Sequence, residues 1–206
     1  MLKKHLQIEA LLFFFIGAAV GFVALQTQNT TPVTISSRAA EPTAIPTTAP
    51  TTTTSSQTSS DGKKEVAMHV TENTDGTKIY DISTTDNEGV IFAKLLPQGE
   101  NLGIPFNTWS ANNSYFFIQE NTSMGTNIYV FKANGEPFTD GEFFIDVTQN
   151  FESSPRRSST DTFYEATGWA ESNLLIINTK GIDGSQGASY WFEVPSRNIY
   201  RLAHQF

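Results

Sequence analysis

The chain contains no cysteine among its 206 residues. Disulfide bonds, thiolate nucleophiles and cysteine-based zinc sites are therefore excluded. A bacterial lipoprotein anchor is excluded as well, because the lipid is carried by a cysteine. A part of this chain that is exposed outside a cell must be held together by its own apolar core.

Histidine is scarce, and the three histidines are His5, His69 and His204. They form neither the H-E-x-x-H pattern nor another cluster of metal ligands. The nucleophile elbow G-x-S-x-G is missing too, since Asp183 occupies the place of the first glycine before Ser185. We find no phosphate-binding glycine loop and no dinucleotide fingerprint. The sequence thus predicts a protein that is not an enzyme, with no catalytic residue and no cofactor.

Positive charge is in short supply, with 13 Lys and Arg against 21 Asp and Glu and a net charge of -8. Nucleic-acid binding needs clustered cations, so we expect no nucleic-acid partner. The densest acidic loop holds Asp81, Asp86 and Glu88. These three are weak calcium candidates, because their spacing does not match the EF-hand loop.

Long apolar runs are confined to residues 10–25, which follow Lys3 and Lys4. This pattern predicts a transmembrane signal-anchor helix inserted in the lipid bilayer, with residues 1–9 as a cytoplasmic stub and the remainder outside the cell membrane. A cleaved signal peptide is the alternative, although the exit from the run has no clear small-x-small cleavage site.

Residues 26–62 are rich in Thr, Ser and Pro and have few apolar side chains. Such a composition predicts a disordered, semi-rigid stalk, because little apolar surface could offset the entropy of ordering. The stalk would carry a head formed by residues 63–206.

The head is predicted to be all-β and antiparallel. Short runs rich in aromatic and β-branched residues alternate with Gly, Asn, Asp, Ser and Pro, and no apolar stripe keeps helical spacing through three turns. The predicted strands are 65–70, 79–84, 90–95, 106–110, 115–120, 128–132, 143–147, 164–169, 174–178, 189–194 and 199–202. The continuously apolar runs 115–118 and 174–177 predict strands that are covered on both faces.

Two stretches of the head repeat one order: a Trp, a small residue, a polar turn and a strongly apolar strand. They read Trp109-Ser110-Ala111-Asn112-Asn113 before 115–118, and Trp169-Ala170-Glu171-Ser172-Asn173 before 174–177. A third, partial unit covers 78–82 and 90–94 and lacks the Trp.

This repeat resembles the blades of TolB-type and dipeptidyl-peptidase-type β-propellers, where a Trp-Ser-Pro-Asp-Gly-like turn precedes an apolar strand. The turn after Trp109 lacks the Pro and the Gly, and the turn after Trp169 departs further. The resemblance implies two to three blade-like units over residues 78–202. Closed propellers have about 4 to 8 blades, so the head would be an open, partial β-propeller-like blade stack, or chains would join to complete a ring. A two-sheet β-sandwich fits the length equally well.

Aromatic side chains are the remaining functional signal. Trp109, Trp169, Trp191 and Tyr190 are the candidate binding residues, since such rings serve as sugar platforms and interface hot spots. Our leading hypothesis is a membrane-anchored binding protein for an envelope protein, peptide or glycan. The alternatives are a cell-envelope hydrolase with a carboxylate pair and a structural surface subunit, and a homo-oligomer is compatible with each.

Overall fold

The computed structural model describes residues 49–203. The predicted cytoplasmic stub, the apolar run 10–25 and most of the predicted stalk lie outside this part. Among residues 49–203, no helix combines the length and the apolar character needed to cross a membrane.

The described residues form twelve strands and one short helix. They are β1 Thr51–Thr58, β2 Glu65–Glu72, β3 Lys78–Thr84, β4 Asn87–Leu96, β5 Asn101–Gly103, β6 Tyr115–Thr122, β7 Gly125–Lys132, β8 Phe144–Asp146, α1 Val147–Ser153, β9 Asp161–Trp169, β10 Leu174–Gly181, β11 Gln186–Glu193 and β12 Asn198–Arg201.

The strands build three four-stranded antiparallel sheets, so the all-β prediction is confirmed. The first sheet contains β1 to β4, the middle sheet β5 to β8 and the third sheet β9 to β12, and within each sheet the neighbours in space are neighbours in sequence. The two-sheet sandwich is wrong, because the strands divide among three sheets. Residues 106–110 do not form the predicted strand and contribute only an isolated bridge between Trp109 and Phe116.

The predicted boundary between stalk and head is also wrong. Residues 51–58, assigned to the disordered stalk, form β1, which pairs with β2 from Thr51↔Glu72 to Thr58↔Glu65. Composition misled the prediction because β1 contributes almost no buried side chain. Its stabilisation comes from the backbone ladder with β2, a strand whose own Val66 and Met68 are buried, and threonine is compatible with an extended backbone.

The middle sheet has both faces covered. Phe116 and Ile118 of β6 belong to an apolar cluster shared with the first sheet, whereas Phe117 belongs to a cluster shared with the third sheet. The same alternation divides β7, where Tyr129 and Phe131 face one way and Ile128 and Val130 the other.

The prediction for residues 115–118 is thus confirmed. The corresponding prediction for 174–177 is wrong, because only Leu175 and Ile177 are fully buried and β10 belongs to a sheet whose apolar cluster lies on one face. In the strand ladder, Leu174 and Ile176 alternate with these two buried side chains.

The hairpin turn between β1 and β2 is built by serine and aspartate. Ser59 N donates to Lys64 O at 2.8 Å, and Ser59 Oγ accepts from Lys64 N at 2.9 Å. Asp61 Oδ1 accepts from Ser59 Oγ at 2.7 Å and from Lys63 N at 3.2 Å. Gly62 provides the left-handed residue of the turn, with φ of 71°.

The turn before β6 reproduces this arrangement bond for bond. Ser110 N donates to Tyr115 O at 2.9 Å, and Ser110 Oγ accepts from Tyr115 N at 3.0 Å. Asn112 Oδ1 accepts from Ser110 Oγ and from Ser114 N, each at 3.1 Å. Asn113 takes the left-handed place, with φ of 56°. The repeat therefore begins in the first sheet, within residues that composition alone assigned to the stalk.

Candidate functional site

A cleft of about 810 Å³ opens beside β4 of the first sheet and β8 of the middle sheet. One side is lined by Ile91, Phe92, Ala93 and Lys94, and the other by Gly141, Glu142, Phe143 and Phe144. Tyr129 of β7 lies between them, with its ring centroid 5.6 Å from that of Phe92 and 5.4 Å from that of Phe144. The cleft thus combines aromatic surface with charged groups.

A buried charge network supports the cleft from within the middle sheet. Glu120 of β6 has a side chain that is only 3% exposed, and its Oε1 lies 2.7 Å from Lys94 Nζ. Glu120 Oε2 accepts hydrogen bonds from the Tyr129 hydroxyl and from Asn127 Nδ2 at 3.0 Å. Lys94 Nζ also donates to the Tyr129 hydroxyl at 2.9 Å. Lys94 therefore joins the first sheet to the middle sheet.

The network fixes the protonation states of its members. Burial by itself would raise the pKa of Glu120, but the hydrogen bonds from Lys94, Tyr129 and Asn127 outweigh it and lower the pKa. Burial, reinforced by the hydrogen bond to the Glu120 carboxylate, raises the pKa of Tyr129 far above its usual range. Glu120 is consequently ionised and Tyr129 a neutral donor at neutral pH.

Asp146 presents a second carboxylate to the cleft, at the junction of β8 and α1. Its Oδ1 accepts from Gln149 N at 2.8 Å, which caps the N-terminus of α1. Burial raises the pKa of Asp146, in spite of the hydrogen bond from Gln149 and the nearby Lys94 charge. The two carboxyl groups around Lys94 therefore have pKa values shifted in opposite directions.

The third sheet contributes one cation to the cleft, Arg197 from the turn between β11 and β12. Its Nη2 donates to Glu142 Oε2 at 2.9 Å and also pairs with Asp140. Both acids belong to the loop between β7 and β8, so this contact ties that loop to the third sheet.

Two of the predicted binding residues serve as bridges between sheets. Trp109 Nε1 donates to Gln57 O of β1 at 3.1 Å, and Trp169 Nε1 donates to Thr108 O at 2.8 Å. Ser59 and Ser110 occupy the same position in their two turns. Thr58 therefore corresponds to Trp109, and Gln57 corresponds to Thr108. Each tryptophan thus bonds the equivalent carbonyl of the preceding unit, and both rings pack against the apolar clusters.

Tyr190 is not available to a ligand, so its prediction as a binding residue is wrong. Its side chain is fully buried, and its hydroxyl donates to Asp161 Oδ2 at 2.7 Å. Trp191 alternates with Tyr190 along β11 and is partly exposed, opposite Ile176 and Tyr200 on the neighbouring strands. Trp191 stays a candidate contact residue, and it is separate from the cleft.

The calcium candidates are not gathered into a described metal site. Asp86 pairs with Lys64 at 2.9 Å, and Asp81 stands opposite His69 and Ala93 in the ladder of the first sheet. The side chain of Glu88 lies outside the described part of the molecule. Across residues 49–203, no three His, Asp or Glu side chains are placed to hold a metal ion.

Sequence reasoning missed every charged residue of the cleft. Lys94 and Glu120 each stand within a predicted strand, at 90–95 and 115–120, with apolar residues close by on either side. Alternation along a strand places each of these charged residues on the same face as its apolar neighbours two positions away. A charge on a buried face needs a partner, so this pattern indicates a buried ion pair or hydrogen bond. The partner itself comes from a different sheet, which the one-dimensional pattern does not specify.

No protein-family model, no curated protein and no solved structure matches the chain.

Proposed function

We propose that the chain is a binding protein, held in a membrane by residues 10–25, whose three-sheet head recognises an envelope protein, peptide or glycan outside the cell. The observation that supports this best is the cleft beside β4 and β8. Its aromatic lining and its few placed charges have the character of ligand sites. Phe143 is 53% exposed there, so a large apolar side chain is available to a partner.

We further propose that the head is a partial propeller of three blade-like units. Three features support the proposal. Each sheet is a four-stranded meander, and the sheets share apolar clusters in chain order. The serine turn of the first unit recurs in the second, and a tryptophan bridge joins the second and the third unit each to the unit before it. The Ser59-Ser60-Asp61-Gly62 turn is nearer to the Ser-Pro-Asp-Gly form of TolB-type blades than either turn that follows a Trp.

Binding to the cleft is tested with the full-length chain in detergent micelles, against a panel of unstructured peptides and envelope polysaccharides. We expect at least one probe whose affinity falls with Phe143→Ala and is unchanged by Phe106→Ala. Phe106 is 90% exposed and does not line the cleft, so it controls for the loss of a surface phenyl ring. A panel in which every bound probe tolerates Phe143→Ala would refute the cleft as the binding site.

Anchoring is tested separately by fractionation of cells that express the full chain. We expect the protein in the membrane fraction, resistant to alkaline extraction, and its head accessible to protease added outside the cell. Deletion of residues 10–25 should release it. A full chain that fractionates as a free cytosolic protein would contradict the anchor.

The hydrolase hypothesis has one observation in its favour. Opposite pKa shifts in two neighbouring carboxyl groups, here Asp146 and Glu120, are a pattern of acid–base catalysis. Against it, the Glu120 side chain is nearly inaccessible and engaged by three donors. Hydrolysis of any envelope polysaccharide by the wild type, abolished in Asp146→Asn, would favour the hydrolase over the binding protein.

A further inference from the structure

Strand β4 has one unpaired edge. It is the last strand of the first sheet and pairs with β3 on its other side only. Within residues 49–203, no backbone hydrogen bond joins residues 91–94 to a further strand. Alternate N–H and C=O groups of an edge strand point away from its sheet and are free to pair with another chain.

The cleft runs along this edge. Four successive residues of β4, Ile91 to Lys94, line it. Successive side chains of a strand point to opposite faces of the sheet. A cavity that touches all four therefore meets the strand from the side, where its backbone groups are exposed.

Edge strands are usually protected by charge, proline, bulges or very short length, and in β4 the irregular register and Glu88 are confined to the first half of the strand, before Phe92. β4 has ten residues and no proline, and the Lys94 ammonium is held inward by Glu120. The register with β3 shifts beside Val90 but is regular from Phe92 to Leu96. The regular half offers a straight template beside the cleft.

The charges around the cleft favour a basic partner. Two carboxylates, Glu142 and Asp146, line the cleft together with two cations, Lys94 and Arg197. The same two cations are also paired with Glu120 and Asp140, which do not line the cleft. Glu120 is matched by Lys94, while Asp140 and Glu142 share Arg197. Asp146 and one of the other two acids are left without a cation of their own, so a positive side chain entering the cleft would meet uncompensated negative charge.

We propose that an extended peptide with alternating apolar and basic side chains adds to the free edge of β4 as a further strand of the first sheet. Main-chain hydrogen bonds to β4 give the affinity, Ile91 and Phe143 take the apolar side chains, and Asp146 and Glu142 attract the basic ones. The inference rests on the proposed function, since it assigns a partner to the same cleft.

The test uses a short synthetic peptide of alternating Val and Lys, titrated into the full-length chain in detergent micelles. We expect binding that weakens by about tenfold or more with Phe143→Ala and is unchanged by Phe106→Ala. A peptide of alternating Val and Glu should bind much more weakly, and the Val-Lys peptide should lose affinity as acid protonates the carboxylates.

Two methylated peptides examine strand addition itself. One has N-methyl groups on every valine nitrogen, and the other on every lysine nitrogen. These two sets of N–H groups point to opposite edges of an extended peptide. An added strand pairs through one edge only, so we expect one methylated peptide to lose at least about tenfold more affinity than the other.

The outcomes separate the two proposals. Binding that depends on Phe143 but is equally affected by both methylations would overturn strand addition and leave the cleft as the binding site. Binding whose affinity is unchanged by Phe143→Ala would also overturn the assignment of the cleft as the binding site. Absence of binding by the Val-Lys peptide, when another probe binds in a Phe143-dependent manner, would overturn the basic-peptide assignment alone.

Discussion

At the scale of single residues, several polar side chains that lose contact with water are matched by specific partners. Glu120 shows this best, because a nearly inaccessible carboxylate is tolerated through Lys94, Tyr129 and Asn127. Asp146 is less well compensated, and its raised pKa records the cost of burying its charge. Trp109 and Trp169 use their indole N–H groups to bond carbonyls of the preceding unit.

Asp146→Asn should make the protein as stable as the wild type or more stable at neutral pH. Asparagine caps a helix about as well as aspartate and brings no buried charge. Because the pKa of Asp146 is raised in the folded state, the wild type gains stability from this group as pH falls through that pKa. The difference should therefore be present above the folded pKa and vanish in acid.

Urea unfolding followed by circular dichroism between neutral pH and pH about 4 measures this difference. Glu120 is present in both proteins, and its lowered pKa stabilises both of them above the pKa that this group has in the unfolded chain. That stabilisation is lost in acid, so its pH trend is opposite to that of Asp146 and is the same in the two proteins. A variant that is less stable than the wild type at neutral pH and equally stable in acid would show instead that the ionised Asp146 stabilises the fold.

Trp169→Phe should lower the free energy of unfolding by about 1 kcal/mol, plus some lost packing. Phenylalanine keeps an aromatic ring but cannot donate to Thr108 O. Trp191→Phe is the matched control, because Trp191 is partly exposed and its change should stay within about 0.5 kcal/mol. Equal costs in the two variants, measured by urea unfolding, would argue against the bridge between sheets.

At the scale of elements, β1 differs from every other long strand. It has almost no buried side chain, yet it pairs with β2 over its whole length and its Gln57 carbonyl accepts the Trp109 indole. Its role is to cover the edge of β2 and to extend the repeat by one turn. An edge strand of hydroxyl side chains does this without presenting an apolar surface.

A chain that starts at Ala49 should therefore unfold cooperatively and at a higher urea concentration than one that starts at Lys63. The shorter chain exposes the edge of β2 and removes the hydrogen bond from the Trp109 indole to Gln57 O, which by itself contributes about 0.5–1.5 kcal/mol. Identical unfolding midpoints would mean that β1 contributes nothing to the fold, as the original stalk boundary implied.

At the scale of the whole molecule, three sheets leave two outer faces without a neighbouring sheet in the described chain. The outer face of the first sheet has a polar row of Thr54, His69 and Asp81, in which Thr54 Oγ1 lies 2.9 Å from His69 Nδ1. These polar side chains can remain in contact with water, so the face does not need a partner sheet to cover it. The same face also has two neighbouring exposed apolar side chains, Ile79 at 38% and Leu95 at 61% exposure.

We therefore expect the chain that starts at Ala49 to sediment as a monomer at micromolar concentration. Two copies would bring together six sheets, a number within the range of about 4 to 8 for closed propellers. A stable dimer would thus favour ring completion and the structural-subunit hypothesis, and Leu95→Lys should then dissociate it. Ala111→Lys, a change on an exposed turn, is the control for the added charge.

The sequence by itself determined the class of the fold and much of its alternation. The Tyr115-Phe116-Phe117-Ile118 run predicts a strand covered on both faces, and Ile128 to Phe131 divide between those faces as their spacing requires, because side-chain direction in a strand is a local property. The same rule failed for 174–177, where apolar residues occupy both faces of a sheet that has one cluster.

Only the tertiary structure decided where the sheets begin and which charges meet. β1 could not be recognised from composition, since its stability lies in backbone pairing with β2. Lys94, Glu120 and Asp146 come from strands far apart in the sequence, and the cleft forms only when the first sheet packs on the middle one. Packing between sheets depends on contacts distant along the chain, and no local pattern of residues encodes them.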